Sequence, residues 1–362
     1  MSKSRMILNQ LSLWFESQKR VLPWREDPSP YRVWVSEIML QQTQVVTVVP
    51  YFERFMQKFP SVESLAKAQS DEVMLLWAGL GYYSRARNLH QGAKQIVAQG
   101  RFPQTRAEWL DVPGVGPYTA GAILSISYNF PEAILDGNVE RVLSRFLKID
   151  RSQGDTQYKK DLWAHSENFV KRAHQLEIHP RILNQALMEL GAMVCTPKSP
   201  KCEKCPIVKF CQSFQSQDQL NYPPKKAKKP WVHVQERMYC ILNKKNEVLL
   251  TQRPAGAWRA GLWDLVEESP LRMVDGKVKK IAELKTQHIV TRHKIERVTE
   301  VWRIEQSDVK LKKNPKAVHV GEKWEWVSLQ TPHVALGSAV KKTFKLISTH
   351  ALSASSSSSS SR

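Results

Sequence analysis

The sequence predicts a multi-domain protein, an all-α domain followed by an α+β domain, on three observations. Apolar residues recur at three- and four-residue spacing from about Ile7 to Cys211, with Pro60, Gly79 and Pro103 separating the segments, as successive helices require. A polar, Gln-rich and then basic stretch follows, Gln212 to Pro230, and its end, Pro223-Pro224-Lys225-Lys226-Ala227-Lys228-Lys229-Pro230, reads as a linker. Beyond it, Val232–Val234, Met238–Leu242 and Val248–Leu250 have strand character, with Asn243–Asn246 as a turn between the last two. The expected boundaries are 1–215 for the helical domain, 216–230 for the linker and 231–345 for the second domain. A disordered Ser-rich tail is expected over 346–362, because the run Ser355–Ser361 has nothing to bury.

The charge balance narrows the partners. Lys and Arg number 54 against 34 Asp and Glu, a formal charge of +20, which attracts polyanions and releases their counterions. Nucleic acid and an anionic membrane surface both suit that field, so motifs must decide. No apolar run approaches the roughly 18 residues of a membrane-spanning helix. The start, Met1-Ser2-Lys3-Ser4-Arg5-Met6, enters an amphipathic stretch without a secretory signal, so a soluble intracellular protein is expected.

Four of the five cysteines lie in one short stretch, Cys195, Cys202, Cys205 and Cys211, separated by six, two and five residues. Four thiolates so close can wrap a metal centre, and an intracellular setting argues against disulfides. Structural zinc sites usually pair cysteines in two short knuckles, whereas only Cys202 and Cys205 are so paired here. Spacing leaves zinc and iron–sulfur ligation both open.

Leu110-Asp111-Val112-Pro113-Gly114-Val115-Gly116-Pro117-Tyr118-Thr119-Ala120-Gly121-Ala122 joins a Gly-rich turn to a helix opened by Pro117. Gly114 and Gly116 would let a phosphate reach backbone N–H groups at the helix start, binding nucleic acid without reading sequence. The bland alternative is a plain interhelical turn.

Two carboxylates stand out. Glu37 lies in the apolar helical stretch Val33–Leu40, a setting that favours the protonated acid, and Asp136 lies in Ile134–Val139, just before a helix. Two carboxylates in different environments can supply a proton and a negative charge to one reaction. Taken singly, Glu37 reads equally as a solvated helix face and Asp136 as a helix N-cap.

Jointly, the cysteine spacing, the hairpin, Ser36-Glu37-Ile38-Met39-Leu40-Gln41-Gln42-Thr43-Gln44-Val45 and Leu135-Asp136-Gly137-Asn138-Val139 resemble the endonuclease III-like superfamily of helix-hairpin-helix iron–sulfur DNA glycosylases. Within it they resemble the MutY-type adenine glycosylases. The resemblance is dense over residues 7–215 and looser over 231–345. It implies that Cys195, Cys202, Cys205 and Cys211 hold a [4Fe-4S] cluster that is structural and contacts DNA. It also implies that Glu37 protonates adenine, that Asp136 stabilises the sugar cation with Asn138 orienting it, and that water completes the hydrolysis. Bifunctional members carry a lysine at the position of Tyr118, whose amine forms a Schiff base with the sugar; a phenol cannot, so the reading is a glycosylase without strong lyase activity. The Tyr118 hydroxyl would contact the sugar or Asp136, or pack.

By the same resemblance Gln42 and Tyr82 enter the duplex near the lesion, with Thr43, Arg85 and Arg87 as further DNA contacts and Gly114 and Gly116 at phosphate. Trp24, Arg25 and Gln185 match positions near an adenine pocket. Gln252–Glu267 resembles the early part of a Nudix-like fold, which in this family recognises 8-oxoguanine. The metal-binding helix of Nudix hydrolases is not recognisable, so pyrophosphatase activity is rejected. Many relatives carry a Phe-Ser-His loop for the oxidised guanine; the matching stretch here is His288–Lys294, with Thr291 replacing the serine and Arg292 and His293 placed for phosphate or base. The implied partner is double-stranded DNA with A opposite 8-oxoguanine or G, bound by a monomer and, in a bacterium, at the nucleoid. Two alternatives remain: a thymine glycol-type glycosylase with lyase activity, disfavoured by Tyr118, and a lesion-binding protein that excises nothing, disfavoured by the carboxylate pair.

Overall fold

A computed structural model describes residues 2–224, 230–254, 256–257, 259–305, 310–311 and 323–356. Of the segments singled out above, Lys225–Lys229 of the linker, Ala255 and Trp258, and residues 357–362 of the tail lie outside the described residues. The chain divides into two units, Met1–Ala68 with Arg87–Lys228, and Gln69–Ala86 with Lys229–Arg362.

The first unit is helical. Proline opens the helices Pro23–Glu26, Pro30–Leu40, Pro117–Tyr128 and Pro180–Met193, where its fixed φ suits the first turn and its missing N–H leaves no helix bond unmade. Pro30–Leu40 is buried on nearly every side, from Tyr31 through Met39, so its apolar residues do not form a single stripe. It packs on Pro117–Tyr128, which in turn packs on Pro180–Met193. Trp34 and Trp109 meet edge to face at 5.8 Å in the core.

Between Pro117–Tyr128 and the helix Gly137–Leu147 the chain belongs to neither helix nor strand. Its buried carbonyls must find donors elsewhere. Asn184 Nδ2 donates to the Glu132 oxygen at 2.8 Å, Arg106 Nη2 to that of Ala133 at 3.0 Å and Ser166 Oγ to that of Ile134 at 2.7 Å. Gly121 admits this segment: a Cβ there would stand 2.1 Å from the Ala133 oxygen. The run ends at Asp136, which caps Gly137–Leu147 by accepting the N–H groups of Asn138 and Val139.

The second unit carries a sheet. Its strands are β1 (Val232–Leu242), β2 (Glu247–Gln252), β3 (Trp263–Asp264), β4 (Val274–Asp275), β5 (Val278–Val290), β6 (His293–Ile304), β7 (Lys310–Leu311) and β8 (Trp324–Ser328). The main sheet runs β3-β2-β1-β6-β5, with β8 also on β2, while β4 and β7 pair separately. β1 lies parallel to β6 and β5 antiparallel to it. One face of this sheet buries an ionic cluster: Arg297, whose side chain is fully enclosed, donates to Glu236 at 2.7 Å and Asp264 at 3.0 Å, and Arg259 donates to Glu236 at 2.8 Å.

Two expectations need correction. Val232–Val234 and Met238–Leu242 are one strand, because Glu236 between them points into that ionic cluster instead of breaking the strand. The tail does not begin at 346, since the C-terminal helix runs Ser338–Ser356. Replacing Gly121 by alanine drives a methyl group into a backbone carbonyl that cannot yield cheaply, so Gly121→Ala is expected to lower stability by about 1–3 kcal/mol in denaturant unfolding. A melting curve coincident with the parent would refute the close approach.

Candidate active site

Glu37 and Asp136 line one pocket of about 810 Å3, together with Trp24, Arg25, Gln41, Gln42, Thr43, Tyr118, Asn138, Gln185 and Glu189. The two carboxylates, a hundred residues apart in sequence, arrive there by different routes. Glu37 projects from the buried helix Pro30–Leu40 and is 3% exposed. Asp136 stands at the N-cap of Gly137–Leu147, so it serves both as helix cap and as pocket wall.

Their environments differ in the way two-carboxylate chemistry needs. Burial pushes the Glu37 carboxyl up to about 7, with the Asp136 charge adding to the rise, against the opposing pull of a Tyr118 hydrogen bond and Arg25. The Tyr118 hydroxyl donates to Glu37 Oε2 at 2.6 Å, so it bonds Glu37 and not Asp136. Burial also raises Asp136, but three donors resist the rise: the backbone N–H of Asn138 (3.0 Å) and Val139 (2.7 Å) on Oδ1, and Asn138 Nδ2 (2.9 Å) on Oδ2. One carboxyl is poised to carry a proton near neutrality; the other is held by donors that suit an anion.

Deeper in the pocket Arg25 donates from Nε to Gln185 Oε1 at 3.0 Å and from Nη2 to Glu189 Oε2 at 3.0 Å, and Arg20 reaches both Glu189 oxygens. Burial opposes ionisation of Glu189, yet the hydrogen bonds and charges of Arg20 and Arg25 hold its carboxyl at about 2. Trp24 is buried and meets Phe52 edge to face at 5.3 Å.

At the rim, Gln42 is exposed with φ of 57°, in the turn that follows Leu40, and Thr43 is half-buried beside it. The hairpin between Arg106–Leu110 and Pro117–Tyr128 has Gly114 at φ of 78°, where a Cβ would also crowd Asn88 at 2.8 Å. Gly116 faces open space. Tyr82, in the second unit, is 43% exposed with φ of 49°. Arg85 is a correction: it is buried, with Nη2 donating to the carbonyls of Leu80 (3.2 Å) and Gly81 (3.1 Å), so it braces the Tyr82 turn and its guanidinium does not reach outward for phosphate. Arg87 is half-buried. Thr291, at φ of 52°, and Arg292 form the exposed two-residue turn between β5 and β6, and His293 opens β6 half-buried.

The cysteine loop is tied to the Asp136 helix. Arg141 donates from Nε to the Cys195 carbonyl at 2.7 Å and from Nη2 to Asn138 Oδ1 at 2.9 Å. Arg145, one turn on and 3% exposed, places Nη1 at 3.4 Å from Cys195 Sγ and donates to the carbonyls of Thr196, Pro197 and Tyr222. Cys211 Sγ lies 3.6 Å from the Arg145 carbonyl. Burial and the neighbouring thiols raise Cys202, and burial pushes Cys205 up to about 12. The all-thiol donor set of Cys195, Cys202, Cys205 and Cys211, with the Arg145 guanidinium beside Cys195, has the donor chemistry of an iron–sulfur centre.

The sequence comparisons agree with this geometry. Residues 35–168 match the HhH-GPD superfamily of base excision DNA repair proteins, and residues 195–211 match the iron-sulfur binding domain of endonuclease III. The adenine DNA glycosylase of Buchnera aphidicola subsp. Baizongia pistaciae is 39% identical over 244 residues, covering 67% of this chain and 68% of that protein. The chain belongs to the adenine DNA glycosylase family. The human adenine DNA glycosylase is 38% identical over 308 residues, 69% of this chain but 55% of the human protein, so the match spans about half the length of that relative. The solved structure of a thermostable thymine-DNA glycosylase, 28% identical, superposes with a TM-score of 0.52 over 59% of this chain and 97% of that one.

Within this family member, sequence reasoning missed the residues that place the others. Gly191 is one: a Cβ there would meet Asn138 Cβ at 2.6 Å, so only glycine lets Asn138 lie against Pro180–Met193. Arg141, Arg145 and Glu189 are the rest, and the i, i+4 spacing of the two arginines was the available signal. Two outcomes follow. Glu189 is held below its ordinary 4.5, so its stabilising contribution is present above about 4.5 and lost as pH falls toward about 2; Glu189→Gln should flatten that part of the acid unfolding profile. Arg145→Ala leaves the buried Tyr222 carbonyl without its donor, at about 1–3 kcal/mol, and frees the Thr196 and Pro197 carbonyls of the cysteine loop, so it should reduce both melting temperature and bound iron. Full iron content in that variant would sever the link drawn here.

Proposed function

We propose that this chain is an adenine DNA glycosylase of base excision repair, which hydrolyses the N-glycosidic bond of adenine mispaired with 8-oxoguanine or guanine. The observation that carries the reading is a carboxylic acid poised near neutrality facing a second, donor-held carboxylate across one pocket. An extruded adenine enters beside Trp24, Arg25 and Gln185. Glu37 delivers its proton to a ring nitrogen, and the C1′–N9 electron pair leaves with the base. The Asp136 oxygens, aligned by Asn138, face the oxocarbenium-like sugar, and water adds at C1′ as its proton passes to the Glu37 carboxylate, which restores the acid. Tyr118 keeps its hydroxyl on Glu37 and offers no amine, so the product retains an abasic site with the strand intact.

The four cysteines hold a [4Fe-4S] cluster, which when bound supplies the positive centre that their thiolates need. Gln42, Thr43 and Tyr82 enter or flank the duplex at the extruded nucleotide, Arg87 adds charge, and Gly114 and Gly116 bring backbone N–H groups to phosphate. The second unit is the Nudix-like element, with Thr291, Arg292 and His293 facing the oxidised guanine. The protein acts as an intracellular monomer on double-stranded DNA.

Single-turnover adenine release from duplexes with A opposite 8-oxoguanine, G or T tests this reading. Glu37→Gln should slow release at least ~100-fold, and Asp136→Asn by a comparable ~100- to 1,000-fold. No release from any duplex by the parent chain would leave only a binding protein. Because the protonated form of Glu37 is the donor, the rate should fall as pH rises through about 7. Tyr118→Phe removes a bond that lowers Glu37, so its inflection should move to higher pH. The same raised carboxyl costs folding stability as pH rises from 4.5 through about 7, so Glu37→Gln should be the more stable protein in mild alkali.

A further inference from the structure

One end of the β1-β6-β5 sheet presents an unusual outer face. Trp231, just before β1, is 50% exposed, and Ile289 on β5 is 62% exposed. Register places Ile289, Lys294 and His233 side by side across β5, β6 and β1. The Lys294 ammonium sits 5.1 Å from the centre of the Trp231 ring. The Val232 N–H donates to the Arg292 carbonyl at 2.9 Å, which pins Trp231 beside the β5–β6 turn and its exposed Arg292. The nearest acid along this face, Glu296, is bonded to Gln287 at 3.0 Å. In the chain, Lys225, Lys226, Lys228 and Lys229 come immediately before.

A large aromatic left in water beside cations gains nothing in the fold from its exposed area, but it offers a π face flanked by phosphate-binding groups. We infer that this end of the sheet is a stacking platform for DNA, with Trp231 against a base or deoxyribose and Lys294 at the adjoining phosphate. The inference rests on the reading of the chain as a DNA glycosylase and adds a stacking residue outside the turn that reads the damaged base. Charge favours DNA over other occupants, because the platform is basic on a chain of net charge +20. Stacking is tolerant of sequence, so Trp231 contributes grip and leaves the choice of opposite base to its neighbours.

The test uses the full chain, the variants Trp231→Ala, Trp231→Phe and Lys294→Ala, and fluorescein-labelled duplexes, one undamaged and one with a non-excisable adenine analogue opposite 8-oxoguanine. Anisotropy titrations across a range of salt should show Trp231→Ala binding both duplexes about tenfold more weakly with an unchanged salt slope. Trp231→Phe should recover most of that loss, and Lys294→Ala should reduce the slope by about one. A merely structural role would not separate the two variants in this way. DNA-induced tryptophan quenching should be smaller in Trp231→Phe than in the parent, a readout that stands even if the alanine variant folds poorly. Binding within about twofold of the parent for Trp231→Ala, or equal quenching in parent and Trp231→Phe, overturns the inference. Adenine release by the parent is scored separately, so its failure strikes the glycosylase reading and leaves the platform to stand or fall on binding.

Discussion

The site depends on one stretch of backbone that belongs to no helix and no sheet. Residues leading to Asp136 pass through a helical core, where unpaired carbonyls are expensive, each costing about 1–3 kcal/mol if left unmet. The fold meets the cost with side chains from different helices, Asn184, Arg106 and Ser166, each donating to a successive carbonyl. Because the donors come from separate elements, the segment cannot shift without breaking bonds to several of them. That over-determination fixes where Asp136 emerges, and therefore where its carboxylate stands relative to Glu37. Gly121 completes the constraint by removing the one side chain that would lie in the path.

The second constraint is electrostatic. A pocket holding two carboxylates would ordinarily favour neutralising both, and burial does push both upward. The difference between them lies in donors. Asp136 has two backbone N–H groups and an amide, and it sits at a helix N-terminus, where the aligned peptide dipoles favour an anion. Glu37 accepts from the Tyr118 hydroxyl and lies within the body of a buried helix. The same pocket thus separates an acid from an anion by the donors it gives to each carboxyl. Glu189 shows the limit of the logic: it is also buried, but two guanidiniums reverse the effect and keep it ionised, leaving it to hold Arg25 and, through it, Gln185 in place.

How much of this was readable from sequence follows from what each signal measures. Three- and four-residue periodicity reports a buried face, so the helical unit and the Pro117 hairpin were legible. Motif resemblance brought Glu37 and Asp136 into one hypothesis, although no local pattern could show that the two side chains share a pocket. The failures have physical causes. Arg85 follows two tyrosines in a basic stretch, but composition does not say which way a guanidinium points, and this one turns inward to carbonyls. Polar Gln235–Arg237 separates the two apolar stretches of β1 in sequence, and composition does not say that Glu236 faces Arg297 and Arg259 inside the unit. Gly121 and Gly191 could not be told from other small residues in helices until the distances to Ala133 and Asn138 were known.

The helix Gly137–Leu147 gives the cysteine loop a place in the same account. Its first turn is capped by Asp136, and its arginines at 141 and 145 reach the loop from one face, as i, i+4 spacing dictates. Arg141 bonds the Asn138 amide oxygen with the same guanidinium that holds the Cys195 carbonyl, and the Asn138 amide nitrogen bonds Asp136. An asparagine amide can turn over unless both ends are engaged; here both are, so its donor is kept on Asp136. The loop's hold on Arg141 and the orientation of the Asp136 donor are thus parts of one hydrogen-bonded chain that runs from the Cys195 carbonyl to the Asp136 carboxylate.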